Sequence, residues 1–206
     1  MYTIPAWVFK DLSSAAKTLI KPDAYKAFLR YVWVNDHGLC FCDGHFAVQY
    51  LRPEVSGFFA GDNTGRDIAL TADELRAIVV AVPSVADTVT FNPDTQIATA
   101  GAATLQFRNS LQLGTSLPNL EDMFKGTVIA SPHKSLSFYD TKYITAVTKF
   151  AACPSRAAYN YIDAAIKKDA LMVGARGELI AAWGTRDGGT KRILVCPVNF
   201  EEKHHG

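Results

Sequence analysis

Residues 39–50, LCFCDGHFAVQY, gather Cys40, Cys42, Asp43 and His45 into a few positions. Thiolate, imidazole and carboxylate are the ordinary ligands of zinc, so the stretch could hold a metal. A closed tetrahedron needs a fourth ligand, and the remaining cysteines, Cys153 and Cys196, sit far off without CxxC or HxxxH spacing. The same stretch places Asp43-Gly44 between apolar-rich runs, the composition of a two-residue hairpin loop with positive φ. With that loop, Cys42 faces His45, Phe41 faces Phe46, Cys40 faces Ala47 and Leu39 faces Val48. Alternation then sets Leu39, Phe41, Phe46 and Val48 on a core face. Cys40, Cys42, His45, Ala47 and Gln49 look outward to solvent or a partner, and the hairpin reading is preferred over a metal cage.

Catalytic chemistry has little else to stand on. The sequence contains no G-x-S-x-G, no glycine-rich phosphate loop, no HExxH and no CxxC. Asp36-His37 and Asp43 with His45 could pair a base with its orienter, but both aspartates precede glycines, Gly38 and Gly44, and turn formation accounts for them. The expectation is a protein that is not an enzyme and carries no cofactor and no metal.

Composition bounds the rest. With 206 residues and 49% apolar content the chain can bury a sizeable core. Its 21 basic and 20 acidic residues leave a formal charge of +1, so any affinity for nucleic acid must come from local placement. The longest apolar run, around Ala77 to Val82, is far short of a membrane span, and the N-terminus lacks a signal-peptide pattern. Four cysteines are too few for a disulfide scaffold. A soluble, cytoplasmic protein with reduced thiols is expected.

The elements that must position these residues follow a repeated plan. In the middle of the chain, DIAL reads as a strand, Thr71 with Glu74 as a capping box, and Leu75, Ile78, Val79 and Val82 as a helical stripe stopped by Pro83. Residues 87–91, 95–100 and 103–108 then read as three strands separated by turn residues. Residues 135–198 repeat it: SLSF as strand, Asp140 as cap, Tyr143, Ile144, Val147 and Phe150 or Ala151 as stripe, Pro154 as stop, then the strands YNYIDAAI, ALMVGA, ELIAAWG and KRILVCPV. The N-terminus shows YTI, a helix buried through Ala6, Phe9, Leu12 and Ala16, and the strands AFLRYVWV, GLCFC and HFAVQYL. The prediction is an α+β chain of three βαβββ units, near 1–52, 66–108 and 135–198. Units one and two are expected to pair in one pseudo-symmetric domain. Unit three either packs on that domain or pairs with another chain, the second option giving an oligomer. Residues 109–134 lack steady periodicity and read as an extended join.

Paired βαβββ units, DGH in a hairpin and a V-x-P strand near the end together resemble the bacterial sliding clamp, the beta subunit of DNA polymerase III. FCDGHFAVQ is similar to the clamp's ATDGHRLA, and Leu194-Val195-Cys196-Pro197-Val198 to its closing VVMPM strand. Leu117-Pro118-Asn119 stands where clamps carry Phe-Pro-Asp, and SFYDTKYITAVTKF resembles the FN-x-x-YL helix start. Departures are present: Phe46-Ala47 replace Arg-Leu, Cys196 replaces a methionine, and the chain has room for about one and a half clamp domains rather than three. The resemblance implies a complete DNA-clamp-like domain at 1–118, a linker at 119–134 and a half domain at 135–206.

The resemblance also implies a function: a non-catalytic DNA replication accessory that confers polymerase processivity. A pocket of Gly44, His45, Phe46, Leu194, Cys196 and Pro197 would take a short peptide of a polymerase or other replication protein. The alternative reading, in which Pro197 and Cys196 simply finish an edge strand, stays open. Lys10, Lys17, Arg76, Lys142 and Lys149 would face double-stranded DNA non-specifically inside an oligomeric ring. Asp11, Asp73 and Glu74 lie nearby, and exposed helix lysines are commonly just solvated. The alternative is a clamp-derived interaction or decoy module that keeps the pocket without encircling DNA. The glycine-rich loop 53–65 carries Phe58-Phe59, read as tucked under a sheet edge or docking a partner.

Overall fold

The computed structural model describes residues 1–62, 64–82, 84, 87–124, 126–128, 139–150, 171–174, 179–185 and 187–197. Strand β1 (Tyr2–Pro5) leads into helix α1 (Ala6–Ala16), then a 3-10 turn (Ala27–Arg30) and a meander of β2 (Val32–Asn35), β3 (Gly38–Cys42) and β4 (Phe46–Leu51). Strand β5 (Ile68–Leu70), helix α2 (Ala72–Ala81) and a second meander, β6 (Thr88–Asn92), β7 (Ile97–Ala100) and β8 (Ala103–Gln106), follow.

The leading strands are exchanged. β1 pairs antiparallel with β6, Tyr2 opposite Phe91, while β5 pairs antiparallel with β2, Val32 opposite Leu70. Each meander therefore gains its fourth strand from the other half, which covers an edge that either half alone would leave open. Helix α2 begins as its residues dictate: Thr71 Oγ1 accepts the Glu74 N–H at 3.3 Å and Glu74 Oε2 accepts the Thr71 N–H at 2.7 Å. Leu75 and Ile78 bury its stripe. Ala6, Phe9, Leu12 and Ala16 do the same for α1.

After β8 the chain crosses at buried Phe107 to β9 (Arg108–Asn109), which joins β5 in the other sheet. The single strand expected at 103–108 is thus split between two sheets. Short helices α3 (Ser110–Leu113) and α4 (Glu121–Phe124) and strand β10 (Gly126–Val128) occupy the expected join. Its Leu117, Leu120 and Phe124 are buried, so the described part of this stretch is a packed strap.

Helix α5 (Thr141–Phe150) and strands β11 (Leu171–Gly174), β12 (Leu179–Gly184) and β13 (Thr190–Val195) come next. The Asp140 carboxylate accepts the Lys142 N–H at 2.9 Å, and Tyr143, Ala146, Val147 and Phe150 are buried. α5 packs beside α1, and β13 pairs antiparallel with β4. Through α5 and β13 this part of the chain docks on the N-terminal half. The expected strands at 135–138 and 159–166, the stops Pro83 and Pro154, Ala151, Cys153 and Val198 lie outside the described residues.

Among the described residues the strands form a four-stranded sheet, β1-β6-β7-β8, and a nine-stranded sheet, β10-β11-β12-β13-β4-β3-β2-β5-β9. The helices cover one face of the larger sheet, where Val34, Phe41, Phe46, Val48, Phe150 and Val195 share one core. The opposite face carries a second cluster, with Trp33, Cys40, Cys42, Ala47, Phe59, Leu117, Phe124 and Leu194. The face expected to look outward is therefore buried. The strap and the loop after β4 cover it: Phe59 is fully buried, and Phe58 lies 6.1 Å from the Phe124 ring with the Arg192 guanidinium 4.3 Å above its own.

A candidate partner-binding ledge and a basic helix layer

The β3–β4 turn sets the site's geometry. Phe41 lies opposite Val48 and Cys42 opposite Ala47, a register two residues from the one expected. Asp43 Oδ1 accepts the N–H groups of His45 and Phe46 at 2.9 and 2.8 Å, and the Asp43 N–H donates to Phe46 O at 3.0 Å. The turn is thus centred on Gly44-His45, with Gly44 at φ +95°, because the aspartate side chain captures two N–H groups better from the first corner. A slip of two leaves every strand residue on its expected face, since side chains alternate with period two. His45 is the exception: it leaves the strand and is exposed at the tip.

The end of β13 lies against this tip. Val195 is opposite Phe46, Leu194 opposite Ala47, and the Cys196 N–H donates to His45 O at 2.8 Å. All six pocket residues predicted from sequence are thus neighbours, though not equivalent ones. Gly44 and His45 are exposed and Cys196 and Pro197 half-buried, forming a ledge. Phe46 and Leu194 are fully buried on opposite faces of the sheet, Phe46 toward the helices and Leu194 toward the strap. They support the ledge from behind.

Aromatic side chains rim it, and sequence reasoning missed their place there. The Tyr143 ring, read from the sequence only as a helix stripe, stacks on Phe46 at 5.9 Å and lies 6.2 Å from the His45 ring. Burial, with the Asp43 carboxylate as hydrogen-bond partner, pushes the Tyr143 hydroxyl well above the ordinary tyrosine range, so it stays neutral. On the other side, a Cβ built at Gly44 would lie 3.7 Å from Leu29 Cδ1 and 3.9 Å from the Tyr25 hydroxyl. Tyr25 is 79% exposed, an unusual state for a ring so large, with the Lys26 ammonium 5.5 Å from its centroid. No spacing in the sequence marks Tyr25 or Leu29, because they reach the tip only through the path of the 3-10 turn.

The residues that raised the metal question do not converge. Cys40 and Cys42 are buried in the outer-face cluster while His45 stands exposed at the turn, and among the described residues no group of three or more His, Cys, Asp or Glu is arranged to hold a metal ion. Burial pushes the Cys42 thiol up to about 11, and the Cys40 thiol well above the usual range.

The five predicted DNA-facing cations all belong to the helix layer, in which α1 contacts both α2 and α5. Lys17, Arg76, Lys142 and Lys149 are exposed and Lys10 is half-buried. Arg76 pairs with Asp73 at 2.7 Å and Lys142 with Asp140 at 3.2 Å, each on or beside its own helix, which lowers the net positive charge of the layer. Among the described residues no helix is long and apolar enough to cross a membrane.

No protein-family model and no curated protein matches the sequence. Solved structures do match the fold. A putative DNA polymerase III beta subunit from Eubacterium rectale is similar at 9% identity and a TM-score of 0.50, over 97% of this chain and 64% of that one. The DNA polymerase III beta subunit of Thermotoga maritima is similar at 12% identity and a TM-score of 0.47, also over 97% of this chain and 64% of that one. A PCNA2–PCNA3 complex from Sulfolobus tokodaii is similar at 9% identity and a TM-score of 0.45, over 95% of this chain and 98% of the matched chain. The mixed architecture of helices on antiparallel sheets, overlaid on the E. rectale subunit across 97% of this chain, is the sliding-clamp fold in a chain spanning 64% of that subunit's length.

Proposed function

We propose that the chain is a clamp-like, non-catalytic replication accessory that docks a short extended peptide on the ledge at Gly44, His45, Cys196 and Pro197. The observation that carries this reading is the 2.8 Å hydrogen bond from the Cys196 N–H to His45 O, which seats two stretches from opposite ends of the chain side by side. An extended peptide needs an apolar seat with polar groups at its rim. Half-buried Cys196 and Pro197 supply the seat, and exposed His45 and Tyr25 supply the rim. Residues 1–118 would then act as one clamp domain, with 119–134 as a linker and 135–206 as a half domain. The exchange of β1 and β5 supports the first of these.

Double-stranded DNA would run along the helix layer, held non-specifically by Lys10, Lys17, Arg76, Lys142 and Lys149. β8 and β10 lie at the ends of their sheets among the described strands, and such edges suit pairing with further copies in an oligomer. A second reading, an interaction module that keeps the ledge without encircling DNA, is supported by the carboxylates that pair with Arg76 and Lys142 in the helix layer.

The test is fluorescence anisotropy with a labelled peptide carrying a polymerase clamp-binding sequence. His45→Glu and Cys196→Glu, each with unchanged circular dichroism, should abolish binding; unchanged affinity in both removes the ledge assignment. Light scattering together with retention on nicked circular DNA, lost on linearisation, separates the ring from the interaction module.

A further inference from the structure

A cleft of about 420 Å³ opens where the end of α1 approaches the start of α2. Its cations come from four separate places: Lys17 just past α1, Arg30 closing the 3-10 turn, Arg76 on α2 and Arg108 on β9. Among the described residues Asp73 is the one carboxylate in its lining, and it pairs with Arg76 at 2.7 Å. In a chain with 21 basic and 20 acidic residues, four cations against a single acid is a local excess that the composition does not predict. Arg30 is held in place, its Nε donating to Ala24 O at 2.9 Å, which leaves the terminal N–H groups of its guanidinium for a ligand.

The remaining lining is of another kind. Ile20, Pro22 and the half-buried Tyr31 add an apolar side, and Tyr31 is braced edge-on against Trp33 at 5.8 Å. A phosphate alone would satisfy the cations but not this wall, and the cleft volume lies within the range of about 300–1,000 Å³ of small-molecule sites. A duplex keeps its bases stacked on each other and offers a protein mostly backbone, whereas an unpaired strand can give both a phosphate and a free base face.

We propose that this cleft binds one nucleotide unit of a single-stranded polynucleotide, its phosphate on Arg30, Arg76, Arg108 and Lys17 and its base against Tyr31 and Pro22. Guanidinium groups match phosphate oxygens two at a time, and a ring braced from behind provides a stacking platform. The site is separate from the peptide ledge but shares Lys17 and Arg76 with the basic helix layer, so Arg30, Tyr31 and Arg108, which lie outside that set of cations, carry its test.

The test uses the full chain and a 3′-fluorescein hexathymidylate read by anisotropy. Arg108→Ala, at an exposed position, should weaken binding about tenfold with unchanged circular dichroism, and Arg30→Ala similarly. Removing both should flatten the log-affinity against log-salt slope by about 1.4, the value for two lost single-strand phosphate contacts. Tyr31→Leu should weaken binding about tenfold with the salt slope unchanged, since stacking carries no counterion release. Arg52→Ala, a cation outside the cleft, should stay within about twofold of wild type. Unlabelled thymidine monophosphate and hexathymidylate as competitors identify the source: displacement by the monophosphate at equal concentration assigns a free nucleotide, and displacement by the hexamer alone assigns a strand. Two results overturn the proposal: Arg108→Ala within about twofold of wild type, or Arg52→Ala weakening binding as much as Arg108→Ala.

Discussion

The Nζ of Lys191 on β13 lies 2.6 Å from the Asp11 carboxylate on α1, with Lys191 only 2% exposed. The same ammonium donates to Phe150 O at 2.5 Å and sits 4.8 and 4.7 Å from the centroids of Trp7 and Phe150. One buried cation thus ties the C-terminal strand to two helices across the junction where β13 meets β4. Replacing it by methionine removes the buried ammonium that meets the Asp11 carboxylate and Phe150 O, which should cost about 3 kcal/mol. Urea denaturation of Lys191→Met measures it, and adding Asp11→Asn should restore part of the loss. A cost below about 1 kcal/mol would place the pair among ordinary surface bridges.

Asp67 is fully buried, its carboxylate accepting Asn35 Nδ2 at 2.8 Å and the Asp62 N–H at 2.7 Å. Burial is the larger effect and pushes its carboxyl up to about 6, against the lowering by these two hydrogen bonds. Because the folded value is raised, the contribution of Asp67 to stability is fully present below about pH 4 and is lost as pH rises through about 6. Asp67→Asn cannot ionise, so the stability of wild type relative to this variant should fall by up to about 3 kcal/mol between pH 4 and pH 7. Denaturation curves for both proteins across that interval test it; a pH-independent difference refutes the assignment.

Gly38 opens β3 at φ +145°, and a Cβ there would lie 2.0 Å from Tyr50 O on the paired strand. No rotamer relieves a clash with backbone. Gly38→Ala should therefore cost more than about 2 kcal/mol by forcing β3 and β4 apart, with a lowered melting temperature as the readout.

Three cysteines of the described chain differ in access. Cys40 and Cys42 are buried with raised thiol values, whereas Cys196 is half-buried at the ledge. Iodoacetamide at pH 8 followed by mass spectrometry should modify Cys196 before Cys40 or Cys42, since the thiolate is the reactive form. Bound peptide should slow the Cys196 reaction. Equal rates with and without peptide would separate the thiol from the docking surface.

Much of the fold was legible because its causes are short-range. Thr71 and Glu74 cap α2 on themselves, Asp140 caps α5, and Phe9 and Leu12 face inward at helical spacing. The hairpin at Asp43-Gly44 was also visible, but its register was set by two N–H bonds to the Asp43 side chain, which move the two-residue loop to Gly44-His45. The ledge was half legible: Gly44, His45, Cys196 and Pro197 stood out as motifs, while Tyr25, Leu29 and Tyr143 carried no motif.

The order of residues alone determined that α1, α2 and α5 become helices, that β3 and β4 form a hairpin, and which side of each is apolar, because capping, alternation and helical spacing act between near neighbours. Only the tertiary structure decided that β1 and β5 change partners, that the strap buries Cys40 and Cys42, and that Arg30 and Arg108 meet at one cleft. Those outcomes depend on edges and apolar faces finding cover from distant parts of the chain, and a local pattern states the need for cover without naming what supplies it.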